Sequence, residues 1–317
     1  MIRPRIFATE TRRCVKFGES RKPPRGTTLT EPEATIQQQN RPASGLVFAV
    51  VNQKGGVGKT TTAVNLAASF AASERTTLLV DVDPQANATS AFGIAVTRHI
   101  YDAISGRCVM KDVVRSTDLE FLKLIPAGRD LYGAEIELAS VLNRERQLER
   151  ALSDLRQDYE FVFIDCPPSL GLLTLNALCA ASRVIIPLQC EYYALEGLAG
   201  LLETVTLVRE QLNPDLGLEG ILLTMVDQRN NLSRQVGKEV REHFGVETFE
   251  TEIPRNVRLS EAPSHGKPAL LYDIQSKGAV SYLRLADEIL RRYPRPLHST
   301  KPTVLSDGAA PEGNNDE

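Results

Sequence analysis

The sequence predicts an α/β protein with a mostly parallel, twisted sheet and helices on both of its faces. Two observations lead to this prediction: short, wholly apolar segments recur along the chain, and segments with helical spacing separate them. Strands buried on both faces are continuous aliphatic runs, and strands that alternate with helices form parallel sheets. Because only 6% of the residues are aromatic and Trp is absent, the core is expected to be aliphatic.

The strands are predicted at short aliphatic runs that end in polar or turn-forming residues. The runs are Leu46-Val-Phe-Ala-Val-Val, Thr77-Leu-Leu-Val-Asp, Glu160-Phe-Val-Phe-Ile-Asp, Arg183-Val-Ile-Ile-Pro and Gly220-Ile-Leu-Leu-Thr, and residues 119–125 are a candidate for another. Parallel sheets bind ligands at the carboxyl ends of their strands, so functional residues are expected directly after these runs.

Helices are predicted in the intervals between the strands, where apolar residues recur at helical spacing. The first helix follows a Gly-rich turn and runs from Gly58 to about Ala72. The others are predicted at 143–156, 170–181, 194–212, 231–244 and 276–292.

The two ends of the chain are predicted to lie outside the folded domain. Residues 1–44 are rich in Arg, Thr, Pro and Gln and lack hydrophobic periodicity, so we interpret them as a disordered basic arm. Residues 295–317 have the composition of a disordered acidic tail. Residues 45–294 are therefore expected to form the domain that carries the function.

Charge and cysteine content exclude several classes of protein. With a net charge of -3, the chain does not coat nucleic acid with its whole surface, so any DNA contact needs a local basic patch. The five cysteines lie at positions 14, 108, 166, 179 and 190. Their spacing contains no C-x-x-C pair and indicates reduced thiols of a cytoplasmic protein. No apolar run reaches the roughly 18 residues of a membrane-spanning helix.

A phosphate-binding loop is predicted directly after the first strand, where Asn52-Gln-Lys-Gly-Gly-Val-Gly-Lys-Thr-Thr-Thr62 leads into a helix. Its three glycines let the backbone curl so that successive N–H groups converge on an anion, and the helix N-terminus adds its dipole. Lys59 is expected to reach the β- and γ-phosphates, and the Thr60 hydroxyl is expected to bind Mg²⁺.

The loop departs from the common G-x-x-x-x-G-K-[ST] pattern, because Gln53 replaces the first glycine and Lys54 precedes two glycines. Lys54-Gly-Gly-Val-Gly-Lys-Thr-Thr resembles the deviant Walker A loop of the ParA/MinD family of P-loop NTPases. Asp81-Val-Asp-Pro-Gln and Phe163-Ile-Asp-Cys-Pro-Pro-Ser strengthen the resemblance. The segment Ile253-Pro-Arg-Asn-Val-Arg-Leu-Ser-Glu-Ala-Pro-Ser-His-Gly-Lys-Pro268 is similar to the ParA/Soj chromosome-partitioning branch.

The resemblance, which extends from about residue 46 to 292, implies a weak ATPase that forms a homodimer on binding ATP and Mg²⁺. The residues implied to bind the nucleotide are Lys54, Gly55, Gly56, Val57, Gly58, Lys59, Thr60, Thr61, Pro254 and Asn256. Lys54 is also implied to be catalytic, because it would touch the phosphates of the partner subunit as an arginine finger does.

The resemblance also implies roles for three aspartates at strand ends. Asp83 would orient and polarise the attacking water, and Asp81 would support the loop or the metal shell. Asp165, which follows a buried strand as a Walker B residue does, would bind Mg²⁺ through a water, while Thr60 would bind it directly.

DNA and a ParB-like protein are the partners that the resemblance implies. The predicted helix 231–244 carries Arg234, Lys238 and Arg241 at i, i+4 and i+7, a spacing expected to place them on one face. By resemblance, Arg229 and Arg258 would contact DNA phosphates without sequence preference. The ParB-like partner would stimulate hydrolysis and release, and the protein would be cytoplasmic and associated with the nucleoid.

Two alternatives use the same loop chemistry. A MinD-like ATPase that cycles on a membrane and positions cell division needs a C-terminal amphipathic helix, whereas Pro296-Leu-His-Ser-Thr-Lys-Pro and the acidic residues after it offer no apolar face. An iron–sulfur carrier needs cysteines placed to hold a cluster, and the observed spacing is poor for that purpose. The sequence leaves open whether the cargo is a chromosome, a plasmid or something else.

Overall fold

The structure, a computed structural model, describes residues 45–191 and 194–295. The basic arm predicted at 1–44 and the acidic tail, apart from Arg295, lie outside the described residues. The strands are β1 (Leu46–Val50), β2 (Thr77–Asp81), β3 (Arg115–Ser116), β4 (Leu122–Ile125), β5 (Phe161–Asp165), β6 (Arg183–Gln189) and β7 (Gly217–Thr224). The helices are α1 (Lys59–Ala72), α2 (Asn87–Ser90), α3 (Ile100–Ile104), α4 (Leu131–Leu138), α5 (Gln147–Leu152), α6 (Leu172–Ala180), α7 (Ala194–Gln211), α8 (Asn231–Phe244), α9 (Val257–Glu261), α10 (Ala269–Tyr272) and α11 (Lys277–Leu290).

The described strands form a seven-stranded sheet in the order β3-β4-β2-β5-β1-β6-β7. Neighbouring strands are parallel, except that the short edge strand β3 runs antiparallel to β4. The predicted mostly parallel sheet is confirmed. The register pairs Asp165 with Asp81 of β2 on one side and with Val50 of β1 on the other. The ends of these three strands therefore meet at one edge of the sheet.

Helices cover both faces of the sheet, as predicted. Alternate residues of β1 point to opposite sides, so that Val47 and Ala49 belong to one hydrophobic cluster and Phe48 and Val50 to the other. The first cluster packs against helices α3 to α8, and the second packs against α1, α10 and α11. Among the described residues, no helix is both long enough and apolar enough to cross a bilayer.

The core is less purely aliphatic than the composition suggests. Four phenylalanines, Phe48, Phe70, Phe161 and Phe163, are buried together under α1. The rings of Phe48 and Phe163 stack with centroids 5.1 Å apart, and Phe70 meets Phe161 edge-on at 4.8 Å. The few aromatic residues are thus concentrated between the sheet and the first helix, where their large area contributes most to burial.

The helix predicted at 143–156 is wrong in extent. The chain there forms two 3₁₀ turns, Arg144–Arg146 and Arg156–Asp158, on either side of the short helix α5. The reason is a tertiary contact: the Asn176 side chain of α6 accepts a hydrogen bond from Leu148 N (3.1 Å) and donates one to Arg144 O (2.8 Å). A side chain thereby satisfies backbone groups that a longer helix would have satisfied itself.

Close packing between α9 and α11 makes Gly278 sensitive to substitution. A β-carbon at Gly278 would lie 2.5 Å from Leu259 Cγ, so Leu259 would have to move. We predict that Gly278→Ala lowers the free energy of unfolding by about 1–3 kcal/mol, as overpacking does. Gly200→Ala in α7 is the matched control, because nothing lies within 4 Å of its β-carbon position, and it should raise stability by up to about 1 kcal/mol. Urea denaturation measures both, and equal stability of the two variants would contradict the prediction.

Candidate functional site

The loop between β1 and α1 is anchored to β6 and β7. Asn52 donates from Nδ2 to Pro187 O in β6 (2.7 Å) and accepts from Lys54 N (2.9 Å). From β7, the Thr224 hydroxyl donates to Val57 O at 2.8 Å. The predicted phosphate loop is therefore held at both ends before α1 begins.

Two glycines give the loop its shape. Gly56 and Gly58 have φ angles of 77° and 90°, a left-handed conformation that is strained for other residues. Helix α1 starts directly afterwards, and its first residue, Lys59, is buried. Lys59 Nζ donates to Lys54 O at 3.0 Å. Burial lowers the pKa of Lys59, although the negative charge of Asp165 opposes the shift. A bound anion near Lys59 would therefore stabilise the charged form of the lysine.

Asp81, at the end of β2, is fully buried and bound on both oxygens. Its Oδ2 accepts from Thr89 N (2.8 Å) and from the Thr89 hydroxyl (2.7 Å), and its Oδ1 accepts from Asp83 N (3.1 Å). Burial raises the pKa of Asp81 to about 7, even though the bonds from Thr89 favour the charged form. Asp81 is expected to support either the loop or the metal shell. Its contacts with residues 83 and 89 agree with support of the loop that follows β2.

Asp165, at the end of β5, has the opposite surroundings. Both of its oxygens are buried, and within the described residues neither has a hydrogen-bond partner of ordinary geometry. Burial, followed by the charge of Asp81, raises the pKa of Asp165 well above its usual value, while the nearby Thr60 hydroxyl and Lys59 favour ionisation. A buried carboxylate without a partner is costly unless a cation compensates it. This pair of orphaned oxygens beside Thr60 therefore fits a Mg²⁺ ion.

A cavity of about 480 Å³ joins the loop to the late segment that the sequence singled out. Its lining includes Gly58, Thr60 and Thr61 from the loop, and Pro254 and Asn256 from the late segment. The Asn256 side chain accepts from Arg258 N (3.0 Å) and caps α9, so its oxygen is already used within the chain. The cavity thus brings the end of the predicted phosphate loop to the two predicted adenine-contact residues, whereas residues 54–57 and Lys59 are not part of its lining.

Sequence reasoning missed several residues around this cavity. Thr224 fixes the loop, and the next residue, Met225, lines the cavity with a left-handed φ of 51°. Thr224 ends the predicted strand 220–224 and Met225 directly follows it, so the rule that ligands bind at strand ends could have identified both. Asn65 holds the cavity wall from α1 by accepting from Ala269 N at 2.7 Å, and no sequence signal marks it.

Lys54 lies outside the cavity and is half exposed. Its Nζ forms an ion pair with the carboxylate of Glu191, which follows β6 in the same chain. The sequence reasoning did not anticipate this partner. Within a single chain, Lys54 is therefore bound to a carboxylate of the same chain.

The predicted basic residues differ in how accessible they are. Arg229 is exposed, and no acidic side chain of the described residues pairs with it. The Arg258 guanidinium pairs with Glu261 at 2.9 Å and with Asp273 at 3.3 Å. These two residues are the implied DNA contacts. The charge of Arg258 is compensated by two carboxylates, whereas that of Arg229 is not compensated by an acidic side chain of the described residues.

Helix α8 is less basic on its outer face than its sequence suggests. Arg241 turns inward, where it donates to Phe249 O (2.9 Å) and pairs with Glu252 (2.7 Å). One pocket is lined by Arg234, Lys238 and Arg241, so the predicted common face is confirmed, although Glu252 and Phe249 O already bind the Arg241 guanidinium.

The chain is similar to several named proteins over most of its length. Residues 45–218 match the family model described as an AAA domain. The chromosome partitioning protein ParA of Myxococcus xanthus is 57% identical over 251 residues, which cover 78% of this chain and 89% of that protein. The sporulation initiation inhibitor protein Soj of Bacillus subtilis is 55% identical over 248 residues, which cover 77% of this chain and 98% of that protein. Among solved structures, cobyrinic acid a,c-diamide synthase from Mycobacterium smegmatis with bound ADP and magnesium has a TM-score of 0.69 and 39% identity, covering 78% of this chain and 95% of that chain.

The orphaned carboxylate of Asp165 should destabilise the protein when no ligand is bound. Its pKa is 3.8 in the unfolded chain and is raised in the folded chain, so stability falls as pH rises from about 4 through the folded-state pKa. We predict that Asp165→Asn is more stable than the parent protein, by up to about 1.4 kcal/mol for each pH unit crossed. Denaturant unfolding between pH 4 and pH 8 measures the difference in free energy of unfolding between Asp165→Asn and the parent protein.

Asp154→Asn is the control for this prediction, because Asp154 is exposed and hydrogen-bonded to Ser153 at the surface. It should leave the pH dependence of stability unchanged. Parallel stability curves for Asp165→Asn and the parent protein would show that the Asp165 carboxylate is compensated in some other way.

Proposed function

Because the chain belongs to the ParA/Soj family of chromosome-partitioning ATPases, we propose that it dimerises on ATP and partitions DNA by cycles of DNA binding and hydrolysis. One observation carries the proposal: Thr60 of the deviant loop lines the cavity, Lys59 beside it in sequence is buried, and the buried carboxylate of Asp165, near the Thr60 hydroxyl, has no hydrogen-bond partner of ordinary geometry among the described residues. A triphosphate with its metal supplies the anion and the cation that Lys59 and Asp165 lack.

The nucleotide would occupy the cavity between the loop and the late segment. The backbone of residues 55–61 would bind the phosphates with Lys59, and Pro254 and Asn256 would lie against the adenine. Thr60 would hold Mg²⁺ directly and Asp165 through a water. The metal would neutralise charge on the phosphate oxygens. No group of three or more His, Cys, Asp or Glu in the described part of the chain could hold a metal, which agrees with an ion that is bound mainly through phosphate and water.

Hydrolysis would use Asp83 to orient the attacking water. Asp83 Oδ1 accepts from Gln85 N at 2.9 Å, and no donor among residues 45–191 and 194–295 occupies its second oxygen. That oxygen can accept a proton of a water aligned with the γ-phosphorus. The water oxygen would form a bond to the γ-phosphorus as the bond from phosphorus to the bridging oxygen breaks, which gives ADP and phosphate.

Lys54 would act in the partner subunit. Within one chain it pairs with Glu191, so dimerisation would replace one carboxylate by the more highly charged phosphates of the neighbouring nucleotide. A cation delivered in this way stabilises the charge that develops during phosphoryl transfer. Because the exchange depends on the triphosphate, ATP would favour the dimer more strongly than ADP.

Substitution of the two lysines of the loop by alanine should impair different properties of the protein. We predict that Lys54→Ala binds ATP with nearly the affinity of the parent protein but no longer dimerises with ATP, whereas Lys59→Ala loses at least tenfold in ATP affinity. Light scattering and nucleotide titration measure the two effects. Lys111→Ala is the control, since this exposed lysine pairs with Asp158 and should change neither quantity. Normal ATP-dependent dimers of Lys54→Ala would refute its role across the interface.

DNA binding would use Arg229 and Arg258 on the nucleotide-bound dimer. Arg229 has no acidic partner to leave among the described residues, whereas Arg258 must exchange Glu261 and Asp273 for a DNA phosphate. Arg229 should therefore contribute more affinity. Pairing two subunits doubles the number of cations on one surface, which reconciles DNA binding with a net charge of -3. A ParB-like protein would stimulate hydrolysis and so release the DNA.

We predict that Arg229→Glu and Arg258→Glu each weaken DNA binding by the same factor on every DNA sequence, with the larger factor for Arg229→Glu, because phosphate contacts carry no sequence information. Each lost contact should flatten the slope of log affinity against log salt by about 0.9. Co-sedimentation with duplex DNA, over a salt series and with ATP, ADP or no nucleotide, measures this effect. Both variants should still dimerise with ATP.

Arg150→Glu is the matched control for the DNA experiment. It makes the same charge change at an exposed position on α5, which packs against α6 rather than against the segment 229–258. Unchanged binding by both Arg229→Glu and Arg258→Glu would move the DNA surface elsewhere. Co-sedimentation with anionic vesicles instead of DNA would support the membrane-cycling alternative.

A further inference from the structure

A buried hydrogen-bond relay centres on the hydroxyl of Thr89. This hydroxyl donates to Asp81 Oδ2 at 2.7 Å and accepts from Ala127 N at 2.9 Å. Thr89 N donates to the same Asp81 oxygen at 2.8 Å. The side chain thus uses its donor and an acceptor lone pair at once, and Thr89 is only 4% exposed.

The relay reaches Asp83 through Asp81. Asp83 N donates to Asp81 Oδ1 at 3.1 Å, so the orientation of the Asp81 carboxylate fixes the backbone that carries Asp83. Three donors fill most of the acceptor sites of Asp81, and all three belong to the protein. The Asp81 carboxylate therefore holds both ends of the segment 83–89.

The relay also joins two loops at the carboxyl edge of the sheet. One follows β2 and carries Asp83, and the other follows β4 and includes Ala127. The second loop is itself fixed by Ile100 N, which donates to Pro126 O at 2.9 Å. Because the Thr89 hydroxyl bonds to both Asp81 and Ala127, a displacement of one loop would displace the other.

We propose that Thr89 is a positioning residue for ATP hydrolysis, which through Asp81 holds Asp83 where it orients the attacking water. This inference rests on the proposed function, since it assumes the role given to Asp83. Positional errors of about 1 Å can lower a rate about 100-fold, so loss of the hydroxyl should affect the chemical step more than nucleotide binding. The alternative is that Thr89 only ties the short helix α2 to Asp81 and Ala127 and contributes stability.

The test compares single-turnover ATP hydrolysis, ATP affinity and thermal stability across matched variants. Thr89→Val keeps the shape but removes the hydroxyl, and Thr89→Ser restores the hydroxyl. Thr77→Val is the control: Thr77 is buried at the opposite end of β2, and its hydroxyl donates to Arg75 O at 2.8 Å. Asp83→Ala reports the rate without the water-orienting group.

Thr89→Val should hydrolyse ATP about 10-fold to 100-fold more slowly while its ATP affinity stays within about threefold of the parent protein. Thr89→Ser should recover most of the rate, and Thr77→Val should lose stability but keep its rate. If Thr89→Val does not fold, Asp81→Asn replaces it, because an amide nitrogen would face one of the three donors and break the same relay.

Two results would overturn the inference at different levels. A Thr89→Val rate equal to that of Thr77→Val, with Asp83→Ala inactive, would show that Thr89 contributes only stability and would leave the proposed function intact. Parent-level hydrolysis by Asp83→Ala would remove the water-orienting role of Asp83, and with it both that part of the proposed function and this inference.

Discussion

Burial of ionisable groups at one edge of the sheet is the constraint on which the rest of the structure depends. The parallel register places Asp81 beside Asp165, and both carboxylates are fully buried. Like charges in a low-dielectric interior repel strongly, and each also loses its hydration. The chain compensates Asp81 with three hydrogen bonds, whereas Asp165, near a buried lysine, has no hydrogen-bond partner of ordinary geometry within residues 45–191 and 194–295. The edge is built for charged ligands rather than for its own stability.

This arrangement explains why the surrounding loops are held so firmly. A site that binds triphosphate and metal gains most when its groups are already in place, because no further ordering is needed on binding. Asn52 and Thr224 fix the loop from two neighbouring strands, and Thr89 fixes the segment after β2. Each of these side chains bridges elements that are far apart in sequence. Ligand binding would then stabilise the fold by compensating groups that are costly while uncompensated.

The cationic side chains proposed to act between molecules are partly satisfied within one chain. Lys54 is bound to Glu191, and Arg258 is bound to Glu261 and Asp273. Surface ion pairs of this kind contribute little stability, so phosphates can replace the carboxylates at small cost. Lys54 and Arg258 are therefore neutralised within one chain, whereas no acidic side chain of the described residues pairs with Arg229; in the proposed complexes, a triphosphate or DNA would supply the stronger anion.

Local sequence was enough to determine the class of fold and the centre of the site. Aliphatic runs revealed the strands, and the pattern Lys54-Gly-Gly-Val-Gly-Lys-Thr-Thr located the loop, because both signals lie within a few neighbouring residues. Tertiary structure alone decided the length of α5, the inward turn of Arg241, and the partners of Lys54 and Val57. Glu191 and Thr224 lie 137 and 167 residues away from those partners. Contacts over such separations depend on how whole strands and helices pack, and no local pattern records that packing.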